Sequence, residues 1–110
     1  MNTRFSYLYR DAGNYKTHHD VVLTGHLEEA AVRRLLFEGE LFIPHELGLP
    51  ELQRAPFTAD DHIWHELETI APTADVPTDP RSAAELLASM EQASSAGWNE
   101  TAAMRRWGLV

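Results

Sequence analysis

The sequence predicts an α+β domain: a small antiparallel sheet, built from an N-terminal hairpin plus one or two further strands, with helices packed on one face. Three observations carry this. Residues 4–10, RFSYLYR, alternate with period two and are rich in aromatics, as strands are. Residues 26–38, HLEEAAVRRLLFE, change to helical spacing. A second helical pattern, AAELLASMEQA, follows a proline-rich break.

In the first strand Phe5, Tyr7 and Tyr9 share one face, and Ser6, Leu8 and Arg10 the other. DAGN follows, where Gly13 can supply the positive φ of a tight turn. In residues 15–24, Tyr15, Thr17, His19, Val21 and Leu23 share a face, so 4–10 and 15–24 read as an antiparallel hairpin. The helix over 26–38 begins at His26 and lines up Leu27, Ala31 and Leu35. Acidic residues open it and arginines sit near its end, matching the helix dipole, with Gly39 as its stop. ELFIP then reads as a short strand halted by Pro44, and HELGLPELQRAPFTA as a surface loop holding His45.

Residues 60–71 fit two patterns. A helix would set Ile63, Trp64, Leu67 and Ile70 on one stripe, with Thr58 as cap. A strand would set Ile63, His65 and Leu67 on one face, and Trp64, Glu66, Glu68 and Ile70 on the other. Periodicity slightly favours the helix, whereas a sheet of three strands would gain most from a fourth, and the strand is preferred narrowly. PTADVPTDP is irregular, and Asp79–Pro80 suits the start of the next helix, closed by Gly97. Asn99 caps a last short helix, ETAAMRRW. The 110 residues are expected to form a single domain, with a core over about 4–95 and a helical tail over about 98–110.

Composition narrows function. The chain has no cysteine, which removes disulfides, thiolate catalysis and Cys-ligated metal centres. The N-terminal MNTRFSYLYRDAGNYK lacks the apolar core of a signal peptide, and no apolar run approaches a membrane span. A cytoplasmic protein with no membrane partner is expected. With 17 acidic and 9 basic residues the net charge is −8, which disfavours direct nucleic-acid binding through a basic face. Motifs for nucleotide phosphates or an activated serine are absent.

Two segments carry chemistry. His62, His65 and Glu66 form H-x-x-H-E, and imidazole plus carboxylate is the ligand set for Zn, Mn, Ni or Fe when cysteine is absent. His19 or His18 from the hairpin could complete such a site. The plainer reading is carboxylate–imidazole pairing at the edge of an element anchored by Trp64. The second segment, YRDAGNYK, gathers Tyr9, Arg10, Asp11, Asn14, Tyr15 and Lys16 around a turn. With Asp61 and His65 it could form a recognition surface, or it is a hairpin tip whose Asp11 and Asn14 bond their own backbone. Trp98, Met104 and Trp107 on the last helix either close the core or meet a protein partner or second copy, since Trp and Met are enriched at interfaces.

YRDAGNYK, GELFIPHELGLP and DDHIWHEL together resemble a family of small bacterial proteins carrying YRDxxNYK, GExFIPxxxGLP and DDHxWHE motifs. The resemblance spans roughly residues 7–70 and implies a bacterial cytoplasmic protein with its interest at those segments. It transfers no activity, cofactor or binding residue. The expectation is therefore an accessory or regulatory protein that acts by binding. A metal-dependent hydrolase built on the His/Glu cluster is the first alternative, and a structural homo-oligomer the second.

Overall fold

The computed structural model describes residues 1–11, 13–53 and 62–108. Strand β1 (Asn2–Arg10) and strand β2 (Lys16–Leu23) form the expected hairpin, with Phe5 opposite Val21 and Tyr7 opposite His19. A short helix α1 (Glu29–Arg33) leads to β3 (Leu41–Phe42) and a single 3₁₀ turn at Pro44–Leu47. Strand β4 (His65–Thr73), helix α2 (Ala83–Ala96) and helix α3 (Glu100–Arg106) follow. The antiparallel sheet runs β2-β1-β4-β3, so β1 and β4 are central and β2 is a long edge.

Hydrophobic patterning explains the layers. Phe5, Tyr7, Val21, Leu23, Phe42 and Leu67 point to one face and pack with Val32, Leu36, Leu86 and Met90 in one buried cluster. Arg4, Ser6 and Arg10 take the opposite, partly exposed face. Residues 60–71 are resolved in favour of the strand over their described part, with Ile63, His65 and Leu67 buried together. Ile70 departs from that alternation. The register slips between Ser6 and Tyr7, so that Ser6 faces Thr69 while Tyr7 faces Leu67. Glu68 is the extra residue of a bulge, which turns Ile70 back to pair with Phe5 and pack on the core.

Three local expectations are corrected. The helix predicted over 26–38 holds α-helical form only over Glu29–Arg33. No side chain caps its start, and Leu35 and Leu36 donate three residues back, to Val32 and Arg33, tightening it into turns. Glu38 and Gly39 then adopt left-handed φ values of 54° and 75°, and Phe37 bonds Leu41 across the turn. The segment read as a surface loop is partly interior, with Leu47, Leu49 and Gln53 buried. Helix α2 starts at Ser82, not Asp79: Ser82 Oγ accepts from Glu85 N–H and Glu85 Oε1 accepts from Ser82 N–H, both at 3.1 Å. Asp79 is taken instead by Arg81, at 2.9 Å to Nη2 and 3.0 Å to Nε, which holds its carboxyl below the usual range.

The C-terminal helix is part of the packing. Trp98 and Ala103 belong to the main buried cluster, with Met104 and Trp107 packed against it. The Trp98 indole N–H donates to Leu35 O at 3.0 Å, tying the tail to the end of α1. Among the described residues no helix is long and apolar enough to cross a membrane.

Candidate functional site

β4 carries His65 into the interior, where the inner face of a strand must go. The ring is completely buried, with Tyr7, Tyr9 and Phe42 around it at centroid distances of 5.2–6.4 Å. Leu52 N–H donates to Nε2 at 3.0 Å, which leaves the proton on Nδ1, facing Ile63 O at 3.3 Å. Burial pushes the imidazole pKa from 6.5 down to about 4, the bond to Ile63 O opposing this and His62 adding to it. His65 is a neutral clamp between β4 and the segment entering at Leu52.

His62 has a similar use. Trp64 N–H donates to its Nδ1 at 3.1 Å, and Nε2–H donates to Arg10 O at 2.6 Å. Its own backbone N–H meets the Tyr9 hydroxyl at 3.1 Å. Backbone groups thus occupy both nitrogens of both histidines. Glu66 lies on the opposite face of β4 and forms a fork with Arg10, at 2.9 and 3.3 Å. His19 stacks edge-on against Tyr7, with 5.6 Å between centroids. Of the four residues that suggested a metal site, His62 and His65 are thus held by backbone groups, Glu66 by Arg10, and His19 lies against Tyr7. Among the described residues no group of three or more His, Asp or Glu is placed to hold a metal ion.

The YRDAGNYK residues mostly satisfy one another. Arg10 also donates to Asn14 Oδ1 at 2.8 Å, and Asp11 Oδ1 accepts from Tyr15 N–H at 2.9 Å. Asn14, and not Gly13 as the sequence suggested, takes the turn's left-handed φ, at 66°, because asparagine tolerates that conformation in turns. Tyr9 is buried, whereas Tyr15 and Lys16 project outward. Asp61 lies outside the described residues. Across the outer sheet face, His18 meets Glu68 at 3.1 Å and Asp20 meets Arg4 at 3.2 Å.

A different arrangement gathers at the C-terminal helix. His45, Leu49, Pro50, Glu51, Arg106 and Trp107 line a cleft of about 440 Å³. The Glu51 side chain is only 7% exposed, and it accepts from the Arg106 guanidinium and the Trp107 indole N–H. His45 Nδ1 lies 3.8 Å from the same carboxylate. Behind it the Tyr7 hydroxyl donates to Pro50 O at 2.6 Å. Burial, with the Glu51 charge second, pushes the phenol pKa well above its ordinary value.

No family model, curated protein or solved structure matches the chain. Function must be read from the cleft's own chemistry. Among the described residues Arg106 donates a single N–H, to Glu51, and a guanidinium carries five donors. Arg106 lines the cleft together with an apolar wall of Leu49, Pro50 and Trp107.

Sequence reasoning singled out Trp107 but missed Glu51, Arg106 and the role of His45. Glu51 and Arg106 are 55 positions apart, and nothing in GLPEL or MRRW marks them as a pair. The available signal was weak: a carboxylate beside Leu49, in a stretch whose prolines and glycine read as surface loop.

Proposed function

We propose that the protein is a small accessory or regulatory protein that acts by binding, with the Glu51–Arg106–Trp107 cleft as its contact surface. The observation that carries this is a carboxylate held almost out of solvent by an arginine and an indole, at the side of an open cleft. Such a pre-fixed polar group beside an aromatic wall suits recognition, because little ordering remains to be done on binding. The matching ligand is a partner segment that lays an apolar side chain on Leu49, Pro50 and Trp107 and offers a hydrogen-bond acceptor to Arg106. Tryptophan and arginine are also the residues that dominate binding energy at interfaces.

Screening carboxylate-bearing aromatic fragments and short peptides by amide-resolved NMR tests this. Binders should shift residues 45–51 and 106–107, and Arg106→Ala should weaken them by roughly tenfold or more, the loss of one charged hydrogen bond. A thermal melt of the variant controls for folding. Binders that shift only other surfaces, or that bind Arg106→Ala equally well, would discard the reading.

A further inference from the structure

The long edge of the sheet points to a second copy of the chain. We infer that β2 pairs antiparallel with β2 of another molecule about a twofold axis at His18, so that Lys16 of each copy faces Asp20 of the other. This contact shares no residue with the cleft and does not depend on it.

One end of the β2 edge is closed within the chain. Val22 N–H donates to Thr78 Oγ1 at 2.8 Å, and Val22 O accepts from Thr78 and Asp79 N–H at 2.9 and 3.2 Å. Backbone groups alternate in direction along a strand, so those of Asp20 and His18 point the same way as those of Val22. Among the described residues they have no backbone partner. At the other end Tyr15 O accepts from Asp11 N–H, as it must if odd-numbered residues face β1. An open edge of this kind is a template for another strand.

Edges are commonly guarded by charged side chains. Here two of the guards are tied back across the sheet: His18 reaches Glu68 and Asp20 reaches Arg4. Lys16 is exposed and makes no ion pair with a described residue. Asp20 engages Arg4 through Oδ2 alone, which leaves Oδ1 for an incoming ammonium.

The closed end selects the register. With the axis at His18, Lys16 opposes Asp20 of the second copy, and Val22 falls opposite that copy's turn, where no pairing is needed. Moving the axis to His19 would set Lys16 against Val22, whose backbone is already engaged. The first register also accounts for Tyr15. Its ring is 82% exposed, on the row that continues to His19 and Val21, and pairing sets it against Val21 of the second copy. Opposite charges and an aromatic beside a β-branched residue are both favourable cross-strand pairs.

A charge-swap experiment on the full chain tests the proposal. Sedimentation velocity over a wide concentration series should show the unaltered protein shifting from monomer to dimer. Lys16→Asp alone should stay monomeric, because each cross-strand pair then sets two carboxylates against each other. Asp20→Lys alone should do the same, because each pair then sets two ammonium groups together. Mixed, the two variants should form a heterodimer in which one pair joins the two introduced side chains and the other the two original ones, both of opposite charge. Circular dichroism checks that each variant is folded. A protein that stays monomeric throughout, single variants that still dimerise, or a mixture that does not associate would each overturn the inference. A dimer surviving in both single variants would instead direct attention to Trp107 and Met104.

Discussion

Acid should unfold this protein through one buried ring. The folded-state pKa of His65 is about 4 against an ordinary 6.5. As pH falls through 6.5 the unfolded chain takes up a proton at this position, and the folded chain does not until about 4. The unfolded state therefore binds more protons throughout that window, and stability falls with falling pH. At about 1.4 kcal/mol per pH unit the full loss is roughly 3 kcal/mol, of which about 2.5 is reached at pH ~4.5. That is a large part of the total for a domain this small. The perturbation is His65→Gln, which keeps an acceptor for Leu52 N–H and cannot titrate. Urea unfolding of both proteins, followed by tryptophan fluorescence near pH 7.5 and 4.5, gives two losses of stability. Gln will lower stability at both pH values, so the difference between the losses is the informative quantity. Carboxylates such as Asp79 titrate alike in both proteins and cancel. The unaltered protein should lose about 2.5 kcal/mol more than the variant. Equal losses would mean that the ring is hydrated or moves on protonation, and would refute a buried neutral clamp.

Other consequences concern local structure. Ser82→Ala removes the hydroxyl that anchors the box opening α2 and should cost about 1 kcal/mol in urea unfolding, whereas Asp79→Ala should leave amide protection in the first turn of α2 unchanged. Glu38→Gly should stabilise by about 0.5–1 kcal/mol, read as a raised Tm, because an exposed non-glycine residue at φ 54° is relieved. Trp98→Phe should cost about 1–2 kcal/mol by stranding Leu35 O, and Trp98→Ala about 3–5 kcal/mol by adding a cavity. If Trp98→Ala instead left the melting temperature unaltered, the C-terminal helix would not be part of the core.

How much of this was legible in the sequence depended on the range of the interactions. The hairpin was readable because alternation of Phe5, Tyr7 and Tyr9 is a local signal, as is the DAGN turn, although Asn14 and not Gly13 takes its left-handed φ. The same holds for Asn99 as a cap, whose side chain accepts from Ala102 N–H only three residues on. The choice between helix and strand for 60–71 was not local, since both periods fit. β1 decided it by pairing Asn2–Leu8 on its free side, and the bulge at Glu68 then rescued Ile70 for the core. The long helix over 26–38 failed for the converse reason: helical spacing was present, but no cap fixed its start and Phe37 found Leu41 across a turn.

The candidate sites divide in the same way. Spacing and composition were enough for the fold class, and they displayed the histidines and the YRDAGNYK residues. They could not assign roles, because an imidazole's chemistry depends on what meets each nitrogen. Folding set Leu52 N–H and Ile63 O against His65, and Trp64 N–H and Arg10 O against His62. It also brought Glu51 to Arg106 and Trp107 across more than 50 positions and left one edge of β2 without a strand partner among the described residues. Patterning along a chain reports which face a residue takes. Which partner waits on that face is fixed by chain packing, and partners distant in sequence leave no periodic trace.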